Sequence, residues 1–180
     1  MFVYCDDTFS VLSETRCGHT NMYYYFQYKQ YTETGFTTHN WRNHHNSIVV
    51  LRNPLDRVVS GLSEGLPYWQ WDSDLIEKLN DEFVSHTAPY MNTTLVGINF
   101  RIIDFYRLEE YIPRMWNKHQ SRRTNSRVKE HTKPEDVFVR NDAYTLRDLE
   151  QEFDLYKDFM ANRERVSVDE WKDLTRKNKI

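Results

Sequence analysis

Cysteine is scarce in this chain of 180 residues: Cys5 and Cys17 are the only two. Neither has metal-ligand spacing, and two thiols do not make a disulfide framework, so zinc modules and disulfide-stapled scaffolds are excluded. Nothing else in the sequence calls for a metal. Charge of one sign is also missing. Lys and Arg number 24 against 27 Asp and Glu, a formal net charge of −3, which gives no overall basic field for nucleic acid. The local basic cluster Arg122, Arg123, Arg127 and Lys129 reads as a solvated loop. No apolar run approaches the length of a membrane span, and the N-terminus lacks the basic-then-apolar order of a secretory signal. Internal repeats and low-complexity linkers are absent. The expectation is a soluble, cytoplasmic protein with one domain over residues 1–180.

Aromatics are plentiful, at 15% of residues with 12 Tyr and 5 Trp, while the mean hydropathy is −0.82. That pairing describes a folded protein with an aromatic-rich core or groove rather than a disordered chain. Apolar β-branched runs alternate with helical spacings. Met1 to Asp6 reads as an edge strand with Asp6-Asp7 as its turn, and Phe9 to Ser13 reads as the next strand. Ser47 to Leu51 and Phe100 to Phe105 read as buried strands. Helices are expected from Met22, after Pro54, over Ser73–Phe83, from Leu108 to Trp116, over Thr145–Ala161 and over Val168–Lys177. Gln120 to Asp136 reads as a long charged loop. Strands alternating with helices predict an α/β fold with a mainly parallel central sheet flanked by helices.

Two segments carry chemistry. The first is Ser47-Ile48-Val49-Val50-Leu51-Arg52-Asn53-Pro54, continued by an amphipathic stretch with Arg57 and Ser60. A strand runs into a turn and then a helix, with Pro54 suited to the helix's first turn. Arg52 leaves the strand at its carboxyl end, where open α/β sheets bind ligands. A guanidinium fork and a hydroxyl converging there make a phosphate clamp. The second is Arg16-Cys17-Gly18-His19-Thr20-Asn21, a Gly-containing loop between a strand and a helix. Backbone N–H groups and the helix dipole favour an anion at such a junction. The spacing of a Walker A loop is absent.

Arg52, Pro54, Arg57 and Ser60 match the pattern Arg-x-Pro-x-x-Arg-x-x-Ser, and the segment resembles the 3′-phosphate-binding segment of sulfotransferases that use 3′-phosphoadenosine 5′-phosphosulfate (PAPS). Residues 16–21 resemble the 5′-phosphosulfate loop of the same family, usually Lys-x-Gly-(Ser/Cys)-Thr-(Ser/Asn). Arg16 replaces the Lys, and His19 stands where the family has a small residue. His86-x-x-Pro89 and the turn Tyr106 to Glu110 resemble elements of the carbohydrate (Golgi-type) branch, and Asn125-Ser126 resembles its late nucleotide-closing loop. The resemblance implies a three-layer P-loop-like fold, in a minimal form without the anchor and stem of the Golgi enzymes. It implies PAPS as donor, 3′-phosphoadenosine 5′-phosphate (PAP) as product and a hydroxyl acceptor, expected to be a saccharide. The donor site it implies is Arg16, Cys17, Gly18, His19, Thr20, Asn21, Arg52 and Ser60, with Arg16 also stabilising charge on the leaving oxygen.

In the family the base that accepts the hydroxyl proton lies between the two phosphate motifs. His39 is the first choice for it, because its ordinary pKa suits a base near neutrality. Glu33 comes second and His86 third, with substrate binding as the other role open to His86. His44 and His45 precede the Ile48 strand and are expected at its far end. Trp69, in Pro67-Tyr68-Trp69-Gln70-Trp71, either stacks on a sugar face or caps the core. Two further readings stay open: a non-catalytic module that keeps the fold, which Arg16 in place of Lys permits, and a P-loop-like kinase, which the missing Walker spacing disfavours.

Overall fold

A computed structural model describes residues 2–14, 16–28, 44–65, 89–113 and 146–176. Among the described residues four strands, β1 (Phe2–Cys5), β2 (Ser10–Ser13), β3 (Ser47–Leu51) and β4 (Arg101–Asp104), form one sheet in that spatial order. β1 runs antiparallel to β2, whereas β2, β3 and β4 are parallel. The helices are α1 (His19–Tyr28), α2 (Pro54–Gly65), α3 (Leu108–Tyr111), α4 (Leu146–Asn162) and α5 (Val168–Leu174). A π-helical turn occupies Met91–Leu95, and a 3₁₀ turn occupies Phe105–Arg107. This is an α/β architecture with a mixed, mostly parallel sheet. Among the described residues no helix is long and apolar enough to cross a membrane. The chain divides into two compact units. The first draws on Met1–Arg52, Gly97–Trp116 and Asp158–Ile180, and the second on Asn53–Val96 and Asn117–Lys157.

The first unit holds the sheet. Every residue of β2 and β3 is buried, the pattern of parallel strands covered on both faces. Ser-Ile-Val-Val-Leu suits that place because branched side chains fit a pleated, enclosed surface. Asp6 makes the turn between β1 and β2: its Oδ1 accepts from the N–H of Thr8 at 2.7 Å and of Phe9 at 3.0 Å. A short side chain satisfying the backbone two and three residues on is what favours Asp at such turns. The outer edge of β4 is covered by the segment around Arg165. There Ile102 N–H donates to Glu164 O at 2.8 Å, and Val166 N–H donates to Ile102 O at 3.0 Å. These bonds satisfy backbone groups that would otherwise offer a template for another chain.

Aromatic packing fastens α1 and α5 to the sheet. Trp171 is fully buried, with its ring centre 6.0 Å from Phe9 and 6.1 Å from both Tyr25 and Phe26. Tyr4 stacks on Phe26 at 4.4 Å. The Tyr25 hydroxyl donates to Thr175 Oγ1 at 3.0 Å, giving its polar end a partner inside the core. Ser167 opens α5 by accepting the Glu170 N–H, an N-cap of the usual chemistry.

Several boundaries differ from the sequence expectation, and α5 ends at Leu174 rather than Lys177. α1 begins at His19, not Met22, so residues 19–21 form its first turn rather than the loop. β4 ends at Asp104, whose side chain accepts the Tyr106 N–H at 3.0 Å and draws Phe105 out of the strand. α3 stops at Tyr111 because Ile112 is extended. Pro113 follows it, and the residue before a proline is disfavoured in the helical region. The helix expected over 73–83 and the loop expected over 120–136 lie outside the described residues.

The second unit contains α2, the π-helical turn and the first part of α4. Asn53 caps α2: its Oδ1 accepts from the N–H of Leu55 at 2.9 Å and of Asp56 at 3.4 Å, with Pro54 at the first helical position. Arg57 is 3% exposed and lies with its Cζ 4.8 Å from the centre of the Tyr90 ring. Glu152, 1% exposed, accepts the Asn92 N–H at 3.1 Å. Burial pushes its carboxyl above the ordinary glutamate value of 4.5, against the opposing pull of backbone N–H groups and the Arg57 charge.

A carboxyl whose folded pKa is raised contributes stability that is fully present below its unfolded pKa and is lost as pH rises through the folded value. Glu152→Gln keeps an oxygen for the Asn92 N–H and removes the ionisation. The stability of the wild type relative to Glu152→Gln therefore falls as pH rises from about 4.5 toward neutrality. Urea unfolding of both proteins across that window measures it, and a difference that does not change with pH contradicts the assignment.

Candidate functional site

The carboxyl ends of three parallel strands build the candidate site, all within the first unit. The register sets Ser13 beside Val50 and Leu51 beside Asp104. The segment after β2, Arg52 after β3 and Phe105 after β4 therefore emerge along one end of the sheet.

After β2 the chain makes a tight loop. The Ser13 hydroxyl donates to Cys17 O at 2.8 Å, and the Cys17 N–H donates to Glu14 O at 2.8 Å. Arg16 has φ +67° and Gly18 has φ +85°. The left-handed region costs an ordinary L-residue about 1–2 kcal/mol, so the backbone at Arg16 is strained. At Gly18 glycine is required on two counts. A Cβ there would clash with Leu108 Cδ2 and stand 3.7 Å from two ring carbons of Phe105, and the positive φ excludes most side chains.

α1 starts directly from this loop. Met22 N–H donates to Gly18 O at 3.0 Å as the first helical bond. The N–H groups of His19, Thr20 and Asn21 therefore fall outside the helix's own hydrogen-bond ladder. The Thr20 hydroxyl and His19 Nε2 lie 3.3 Å apart. Asn21 Oδ1 is buried and has no hydrogen-bond partner among the described residues. Cys17 is fully buried and packs inward.

Arg52 joins the second motif to the first. It is 7% exposed; its Nη1 donates to Arg16 O at 2.7 Å, and its Cζ sits 4.3 Å from the centre of the Phe105 ring. The cation therefore grips the carbonyl of the strained residue while resting on an aromatic face. Beyond Phe105, Arg107 and Glu110 form an exposed two-bond ion pair. The Arg107 guanidinium holds the Glu110 carboxyl below the usual carboxylate range, and Glu110 raises Arg107 in turn. These two residues belong to the turn that the carbohydrate-branch resemblance drew on.

The structure thus brings together Arg16, Cys17, Gly18, His19, Thr20, Asn21 and Arg52. Ser60 is half-buried on α2, in the second unit. Glu33, His39, Trp69 and His86 lie outside the described residues, as do Asn125 and Ser126. His44 sits at the amino end of β3, where Nε2 donates to Asp6 O at 2.8 Å and Nδ1 accepts the Asn46 N–H at 3.1 Å. Its ring stacks on His45 at 4.5 Å, so both lie at the end of the strand away from Arg52, as expected. Phe105 and Leu108 were missed in the sequence, because nothing in an apolar pair after a strand announces that it packs on a distant glycine. Asn53 as a cap was legible in the Asn-Pro pair.

Helix N-terminal donors, a left-handed loop and a guanidinium at one sheet end suit an anion. Among the described residues no group of three His, Cys, Asp or Glu is placed to hold a metal ion.

Gly18→Ala is expected to destabilise the protein by about 1–3 kcal/mol through the positive φ, with the clash against Leu108 added. In a double-mutant cycle, Leu108→Ala relieves the clash but not the backbone cost, so the pair couples favourably. Denaturant midpoints read both effects. A Gly18→Ala protein as stable as wild type contradicts the loop geometry.

No protein-family model, curated protein or solved structure matches this chain, so the functional reading rests on the loop, on Arg52 and on the motifs of the sequence itself.

Proposed function

We propose that this chain is a PAPS-dependent sulfotransferase of three-layer P-loop-like fold, a single domain that moves a sulfuryl group to a hydroxyl, most suitably on a carbohydrate. One observation carries the reading. The two segments that resemble the family's phosphate motifs leave neighbouring parallel strands at the same end, and Arg52 of one hydrogen-bonds the Arg16 carbonyl of the other at 2.7 Å. Arg16 and Arg52, 36 positions apart in the chain, are thereby joined.

In this reading the N–H groups of His19, Thr20 and Asn21 and the Thr20 hydroxyl hold the phosphosulfate. Arg16 stabilises negative charge on the leaving bridging oxygen, and Arg52, with Ser60 assigned from the sequence pattern, serves the 3′-phosphate. His39 accepts the acceptor's proton as its oxygen attacks sulfur in line, with Glu33 as the second choice. One S–O bond forms, the bridging S–O bond breaks, and PAP departs. His86 and Trp69 are assigned to the acceptor. Arg57 is buried against Tyr90, which supports a packing role for it rather than a ligand role.

A second reading has one observation in its favour. Arg52 is nearly buried and already engaged by the loop carbonyl and Phe105, which suits a non-catalytic module in which Arg52 is scaffold.

Arg52→Ala and Ser60→Ala are expected to weaken PAP binding about tenfold or more, the worth of a charged hydrogen bond. His39→Ala should leave PAP affinity unchanged and lower turnover by about two to four orders of magnitude. Calorimetry with PAP and transfer from labelled PAPS to glycan acceptors read these effects. Unchanged affinity in Arg52→Ala and Ser60→Ala removes the 3′-phosphate assignment. Full turnover in His39→Ala moves the base to Glu33, and donor binding without turnover in the wild type supports the second reading.

A further inference from the structure

We propose that Phe105 is a positioning residue of the anion site, holding Arg52 on the Arg16 carbonyl and thereby fixing the left-handed loop. The proposal deepens the reading of the loop as a donor site and rests on it only for the choice of nucleotide.

Phe105 touches both halves of the site. One face of its ring lies 4.3 Å from Arg52 Cζ, within the range in which a guanidinium is attracted to an aromatic quadrupole. Two of its ring carbons lie 3.7 Å from the space a Gly18 side chain would enter. Tyr106 packs against it edge-on at 5.5 Å. The ring's location is set independently of any ligand: Asp104 accepts the Tyr106 N–H and ends β4 one residue before Phe105.

The consequence for Arg52 follows from its chemistry. An arginine has five N–H donors on a planar fork and many rotamers. Stacking removes most of that freedom and leaves the fork edge directed at Arg16 O, 2.7 Å from Nη1. The carbonyl so held belongs to the residue with φ +67°, whose backbone needs an outside tie to persist. Without the ring, Arg52 samples other rotamers, the tie weakens and the loop's N–H groups lose their common direction. The effect on an anion comes through geometry, not through contact with Phe105.

The test uses the full chain with Phe105→Leu, which keeps an apolar side chain but loses the π face, and Phe105→Tyr, which restores it. Two readouts are needed. The rate at which phenylglyoxal modifies Arg52, followed by peptide mass spectrometry, reports its positioning without any nucleotide. PAP affinity by calorimetry reports the site. Phe105→Leu is expected to raise the Arg52 modification rate and weaken PAP binding, each by about tenfold. Phe105→Tyr should return both toward wild type, a rescue that a merely space-filling residue would not show. Wild-type values of both readouts in Phe105→Leu overturn the proposal, and so does a Phe105→Tyr protein that resembles Phe105→Leu. If the wild type does not bind PAP but Phe105→Leu still exposes Arg52 and Phe105→Tyr protects it, the positioning role stands and the donor reading falls.

Discussion

A single hydrogen bond, Arg52 Nη1 to Arg16 O, is the constraint on which the rest of the candidate site depends. Arg16 occupies a backbone region that chirality penalises. Such a conformation persists only where its surroundings over-determine it. Ties among the described residues include Ser13 Oγ on the Cys17 carbonyl, the Cys17 N–H on Glu14, and the Arg52 guanidinium. The parallel pairing of β2 with β3 delivers the Arg52 tie, because it carries residue 52 to the same end as residue 16. β4 delivers the aromatic floor beneath it. The register of the sheet therefore sets the geometry of this end, and a slip of one residue would turn the side chains of the shifted strand to the opposite face.

That geometry gives Arg52 a role distinct from a simple phosphate ligand. Arg52 organises the loop through Nη1, and in the proposed reading it also serves an anion. Its near-complete burial lowers the local dielectric and strengthens any charge-assisted bond it makes. The same burial makes its loss costly even without a ligand, since the loop would lose a tie. In the proposed reading stability and binding are therefore coupled at this residue.

Much of this was legible in the residues. The run Ser47 to Leu51 could hardly be anything but a buried strand, and Asn53-Pro54 marks the helix start that follows. The spacing of Leu149, Phe153, Tyr156 and Met160 announced α4 to within a residue at each end. The loop at 16–21 was recognisable as a strand-to-helix junction, but its division was not. His19 to Asn21 look like loop residues by propensity, and tertiary packing of Met22, Tyr25 and Phe26 pulls them into the helix. Phe105 and Leu108 were hidden for a different reason: their partners Gly18 and Arg52 are remote in sequence, and only strand order brings them close. The early end of α3 was written in Pro113, which the expected helix over Leu108–Trp116 ran past.

The central claim is that the loop and Arg52 form a site for a nucleotide carrying a 3′-phosphate. Calorimetric titration of the wild-type chain with PAP, with ADP as the control, tests it most directly, because both ligands carry adenosine and two phosphates, and the second phosphate sits on the 3′ oxygen in PAP but on the 5′ phosphate in ADP. The account predicts micromolar PAP binding and little binding of ADP. Equal affinity for the two, or no binding of PAP, would contradict it.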